Sequence, residues 1–232
     1  MHIMFISPPG REVPMNGDPM RLRSRAATVA GALVLTVGIG VPAQAATLVP
    51  LDKGHIDVVD VEYADGEFEL HVHHEEQEYD PADVLLRVPA AAKATVPDDP
   101  AYAFLGAPGK SVWILPQAED PELLFAGLSS EELEAGVFTG DQVTLKLCAV
   151  SGPGKVSVFT TDAVGAPGVV FNSRDGLPDA TALTVGGHQH ANWTFSAAGT
   201  YRFTFVATAR LAADNSVVTS APTTVTFRVL NS

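Results

Sequence analysis

From residue 46 onward the sequence predicts an all-β fold: an antiparallel immunoglobulin-like β-sandwich with long loops and at most one short helix. Three observations carry this. Apolar and polar residues alternate through most of the chain, the spacing that sets one face of a strand on a core. Twelve of the chain's seventeen prolines and fifteen of its twenty glycines fall in this part and punctuate the runs, as the connections of a sandwich require. Only one short stretch has helical spacing.

The first run alternates imperfectly, with Ile56, Val58, Asp60 and Glu62 against Asp57, Val59, Val61 and Tyr63. After the turn signal Ala64-Asp65-Gly66, Phe68, Leu70 and Val72 alternate with Glu67, Glu69, His71 and His73. The pair reads as a β-hairpin closed by an Asp-Gly turn. Further strands are expected at 84–88, 111–115, 142–150, 155–161, 191–195, 200–209 and 223–229. The last is the clearest, with Val225, Phe227 and Val229 on one face and Thr224, Thr226 and Arg228 on the other. Trp193 and Phe195 read as core residues. The helical stretch is 129–135, where Ser129 and Glu132 have capping-box spacing before Gly136. No composition break divides 46–232, which reads as a single domain; the connection 89–110 is the one place where two half-domains would join.

Residues 20–45 read as a secretory signal. Arg21, Arg23 and Arg25 form a cationic start, an apolar run follows, and Ala43-Gln44-Ala45 offers the small residues of a cleavage site. The run is too short to span a bilayer, which takes about 20 apolar residues, and is broken by Gly31, Gly38, Gly40 and Pro42. Residues 1–19 stand in front as a doubtful extension, since Met20 would serve as the start. The chain ends at Asn231-Ser232 without a Leu-Pro-x-Thr-Gly sorting signal. The expectation is an extracellular protein, secreted or cell-wall associated, with no stable membrane insertion after cleavage.

From Ala46 onward 10 Lys and Arg stand against 25 Asp and Glu, a net charge of −15. Such a surface repels nucleic acid and anionic lipid. Cys148 is the only cysteine, so stability must come from a hydrophobic core, and its place in an alternating run makes it a packed strand residue.

Catalytic signatures are missing. Gly106-Ala107-Pro108-Gly109-Lys110-Ser111 ends like a phosphate-binding loop, but Phe104 stands where that motif needs glycine, and Val112-Trp113-Ile114-Leu115 reads as a strand where it needs a helix. There is no Gly-x-Ser-x-Gly, His-Glu-x-x-His or Cys-x-x-Cys. Acid pairs such as Glu75-Glu76 and Glu131-Glu132 read as solvated surface in so acidic a chain. The protein is expected not to be an enzyme and to use no organic cofactor.

Histidine placement is the informative feature. All six histidines beyond residue 46 fall in three segments: His55-Ile56-Asp57, His71-Val72-His73-His74 and His188-Gln189-His190. Residues two apart on an extended strand point the same way, so each His-x-His pair can aim two imidazoles at one point. Neutral imidazole is a good ligand for zinc and other late first-row divalent ions. Gly186 and Gly187 permit the sharp backbone path that would deliver the last pair, and Asn192 is expected to brace that turn.

The segments Gly54-His55-Ile56-Asp57, Val112-Trp113-Ile114-Leu115-Pro116-Gln117 and Gly187-His188-Gln189-His190-Ala191-Asn192-Trp193-Thr194-Phe195, followed by Gly199-Thr200-Tyr201, resemble the actinobacterial surface-anchored protein domain, also called the choice-of-anchor M domain. The resemblance spans nearly all of the chain beyond the signal. It implies a cell-wall or secreted protein encoded beside metal-type ABC transporters, with no established enzymatic activity. Transporter components or other cell-surface proteins would be its partners, and His55, His73, His188 and His190 its family-like histidines. The expected function is therefore non-catalytic binding of Zn2+ or another divalent transition metal. A structural, adhesion or carbohydrate-binding surface module is the alternative, and a metal-dependent hydrolase ranks last.

Overall fold

The computed structural model describes residues 47–232; the extension expected at 1–19 and the signal expected at 20–45 lie outside them. In chain order the strands begin with β1 (Val49–Leu51), β2 (Gly54–Ala64), β3 (Glu67–His74), β4 (Gln77–Tyr79), β5 (Val84–Val88) and β6 (Lys93–Thr95). There follow β7 (Ser111–Leu115), β8 (Leu124–Ser129), β9 (Gln142–Ser151), β10 (Val156–Thr161), β11 (Pro167–Asn172) and β12 (Asp179–Thr184). The series closes with β13 (His188–His190), β14 (Asn192–Phe195), β15 (Gly199–Arg210), β16 (Val217–Thr219) and β17 (Thr223–Val229).

Three sheets result. The largest runs β1-β5-β17-β15-β9-β12, with β16 on β15; the second runs β11-β10-β14-β7-β6; the third runs β13-β8-β2-β3-β4. The all-β, sandwich-like fold matches the sequence reading. Purely antiparallel pairing does not hold, because β1 with β5, β5 with β17, and β2 with β8 are parallel. Alternation reports which face of a strand is buried and is the same for either direction of its neighbour.

The first hairpin follows its sequence closely. Asp65 and Gly66 lie at φ 51° and 89°, the positive pair that a two-residue type I′ turn demands. The imperfect alternation in β2 is a bulge. Asp57 and Asp60 face His73 and His71 across the hairpin, three residues on one strand against two on the other. Against β8 the shift falls between Asp57 and Val59, so Val58 is the extra residue. Without it, carboxylates three apart would project to opposite faces of the sheet; with it, Asp57 and Asp60 share one face.

The core draws on all three sheets. Trp193 and Phe195 of β14 are fully buried, and Trp193 meets Phe203 and Phe227 of the large sheet at centroid distances of 6.0 and 5.8 Å. Each aromatic buried this way stabilises the fold by roughly 1.5–3 kcal/mol. Between β13 and β14 the chain passes from the third sheet to the second at Ala191, which is itself buried. The connection 89–110 packs on the second sheet through β6 and a small cluster of Val96, Leu105, Val112 and Phe159.

The expected helix at 129–135 does not form. Ser129 ends β8, and Ser130 is tied to the turn before β13: its N–H donates to Gly187 O at 2.9 Å and its carbonyl accepts from Gly186 N at 2.9 Å. A seven-residue helix is too short to nucleate against such tertiary bonds. Helical turns among the described residues are the 3-10 segments Ala90–Ala92, Pro100–Leu105 and Thr139–Asp141.

Candidate metal centre

Cross-strand register on the third sheet sets the site. One row of Cα partners reads His190, Gly127, Asp57, His73, Glu78; the next reads His188, Ser129, Asp60, His71. Strands β13 and β2 are both neighbours of β8 and so stand about 9.5 Å apart, twice the inter-strand spacing. At that separation a side chain on the middle strand ordinarily stands between the outer two. Here the middle residue is Gly127.

The absence of a side chain at Gly127 lets the outer strands meet. A Cβ built there would lie 2.9 Å from Asp57 Oδ1, 3.1 Å from His188 Nε2 and 3.2 Å from His190 Nδ1. His55 completes the group: its Nε2 is 3.3 Å from His188 Nε2. Ligand atoms of His55, His188 and His190 all lie within 4.8 Å of one another. Two imidazole nitrogens sharing a tetrahedral zinc at about 2.0–2.1 Å are separated by roughly 3.3 Å, the spacing of His55 and His188.

Asp57 adjoins this group through His188. Its side chain is 4% exposed, and Oδ1 lies 2.8 Å from His188 Nε2 yet accepts no hydrogen bond there. His190 Nδ1 is likewise buried without a partner. Buried polar atoms left unpaired are costly, and a carboxylate oxygen converging with imidazole nitrogens is the donor set that a late divalent ion takes. Histidine and acidic groups are thus positioned to hold a metal ion.

Local electrostatics favour ligation. Burial, then the proximity of His188 and His55, lowers the pKa of His190 from the ordinary 6.5 to about 4, so its ring is neutral at physiological pH. Phe125, two residues before Gly127 on β8, stacks on His190 at 3.4 Å between centroids and 8° between planes. Burial raises the Asp57 carboxyl above its usual range, against the opposing pull of His188 and His55.

Supports come partly from residues that the sequence reading left as surface. Glu131 Oε2 lies 3.1 Å from His188 Nδ1, holding the ring so that Nε2 faces the site. Gly186 has φ 73°, and a Cβ on Gly187 would meet Thr184 O at 2.6 Å, so the glycine turn into β13 is required as expected. Its brace is Ser130, whose Oγ donates to Thr184 O at 2.8 Å. Asn192 does not fill that role: it donates to Phe159 O at 3.2 Å and accepts from Gln117 N at 3.0 Å within the second sheet. No sequence signal marked Gly127 or Glu131, because neither lies in a motif.

Of the four expected ligands, the structure brings together His55, His188 and His190. His73 stands one strand further along, with Nδ1 3.6 Å from Asp60 Oδ2. Of the two remaining histidines, His74 contacts Lys53 O at 2.9 Å. His71 forms a second group with Glu62 and Glu69, at 3.6 and 3.3 Å from its Nε2, while Glu78 is 3.4 Å from its Nδ1.

Fold and site together define an all-β protein carrying a histidine–carboxylate cluster positioned for a metal ion. No family model matches the chain, and no curated protein is similar to it.

Proposed function

We propose that the protein is a secreted or cell-surface, non-catalytic metal-binding protein that takes zinc or a similar divalent ion through His55, His188 and His190, with Asp57 as fourth ligand. One observation carries the reading: the ligand atoms of His55, His188 and His190 lie within 4.8 Å of one another, and the buried Asp57 carboxylate meets His188 and His190 over Gly127. Three nitrogens and one oxygen suit the borderline-soft character of zinc. A fourth protein ligand favours capture over catalysis, because catalytic zinc keeps one position open for water. The resemblance to surface-anchored proteins encoded beside metal ABC transporters supports a role in delivering the ion to such a transporter, outside the cell.

The test is metal analysis of protein purified without a histidine tag, followed by zinc titration calorimetry. Wild type binds zinc, and the His188→Ala, His190→Ala double variant loses that binding while keeping its strand-type circular dichroism. Equal affinity in the two proteins excludes the assignment.

A further inference from the structure

The three-histidine site leaves its neighbours on the same face unexplained. Asp60 is as deeply buried as Asp57, with a side chain 4% exposed, and its Oδ1 has no hydrogen-bond partner. Among the described residues its only approach to an opposite charge is His73 Nδ1 at 3.6 Å, beyond hydrogen-bonding range. The bulge at Val58 is what turns both carboxylates to one face. His73 is the cross-strand partner of Asp57 and reaches diagonally to Asp60. Asp57, His73 and Asp60 are therefore contiguous, immediately beside the three histidines.

Two adjacent buried carboxylates repel each other and forfeit hydration, a cost that nearby cations must offset. One ion at the three histidines satisfies Asp57 through Oδ1. It leaves Asp60, whose Oδ1 has no hydrogen-bond partner, with no ion of its own. A carboxylate has two oxygens and lone pairs for two partners, and an imidazole with carboxylates is a donor set suited to a divalent transition ion.

We propose that His73 and Asp60 hold a second divalent transition-metal ion beside the first, with the Asp57 carboxylate shared between the two positions. This rests on the three-histidine reading and extends it: the protein becomes a two-ion carrier, and His73 acquires a role that the first position does not give it. Mixed nitrogen and oxygen ligation by one histidine and two carboxylates makes the second position the weaker for zinc, so it fills after the first.

Native mass spectrometry of the purified full chain, titrated with zinc, reads the stoichiometry directly. Wild type is expected to bind two zinc ions per chain in two separable steps. Asp60→Asn keeps the shape of the side chain and removes its charge, and His73→Gln removes the imidazole; each is expected to bind one ion with the affinity of the first step. Should Asp60→Asn not fold, as judged by circular dichroism, His73→Gln decides alone. One zinc in wild type and in both variants overturns the second position and leaves the first intact. Two zinc ions retained in both variants overturn the assignment to these residues. No zinc in wild type removes both readings.

Discussion

The two ends of the third sheet each gather ligand-type side chains within 4.8 Å of one another, yet they differ in kind. At the β13 end, three imidazoles meet one buried carboxylate, a phenyl ring covers His190, and Asp57 Oδ1 and His190 Nδ1 have no hydrogen-bond partner. At the β4 end, one imidazole sits among three carboxylates that are 34%, 59% and 48% exposed. Both nitrogens of His71 lie near an acid there, and although Nε2 is itself buried without a hydrogen-bond partner, water reaches the acids. The difference teaches that proximity of donors is a poor criterion for a metal site. What separates the ends is the burial of the carboxylate: Asp57 is 4% exposed, whereas the acids around His71 are open to water.

The sharpest way to break this contrast is Gly127→Ala. One methyl group occupies the point within 3.2 Å of three donors, and zinc affinity is expected to fall by roughly 100-fold or more, at the upper end of what removing a ligand's support costs. Gly127 does not require positive φ, and alanine suits a strand better than glycine. The thermal midpoint should therefore stay near that of wild type, and unchanged zinc affinity would remove Gly127 from the account.

Glu131→Gln probes the support of the same end. Loss of the carboxylate behind His188 should weaken zinc binding about tenfold, measured by calorimetry beside the wild type. A result within error of wild type would return Glu131 to the solvated surface.

Proton linkage probes the β13 end in the metal-free protein. With the pKa of His190 at about 4 in the fold against an ordinary 6.5, the unfolded chain binds a proton between those values that the fold does not. Its contribution to stability is present above pH 6.5 and is lost as pH falls toward 4. Asp57 has the opposite sign: the fold retains a proton above 3.8 that the unfolded chain has released, so its contribution declines as pH rises from there. Denaturant midpoints between pH 4 and 6.5 should rise with pH less steeply in His190→Gln than in wild type. Parallel profiles would show that His190 does not titrate as described.

The smallest effect is expected at the β4 end. His71→Ala removes an imidazole held only by partly exposed acids and should change first-step zinc affinity less than about fivefold, the scale of a surface ion pair. A loss as large as that of Gly127→Ala would erase the distinction between the two clusters.

Much of the fold was legible in local pattern. The Asp-Gly turn and the bounds of β5, β7 and β17 follow the sequence to the residue, and β5 and β17 alternate throughout, because a half-buried strand writes its exposed face into every second position. Strand β8, Leu-Phe-Ala-Gly-Leu-Ser, was not legible: all but Phe125 are buried, so it lacks the polar face that alternation needs. Its neighbour 129–135 misled through a capping-box spacing that tertiary hydrogen bonds overrode.

By itself the sequence determined the donors. Histidines two apart on extended chain share a face, and glycines at 186 and 187 allow the turn that delivers the later pair. Which donors meet was decided by tertiary structure. The insertion of β8 between β2 and β13, parallel to the first and antiparallel to the second, the missing side chain at Gly127 and the extra residue at Val58 bring Asp57 to the histidines of β2 and β13 and set His73 one strand away beside Asp60. Strand order and register depend on contacts between segments far apart in the chain, and local periodicity carries no record of them.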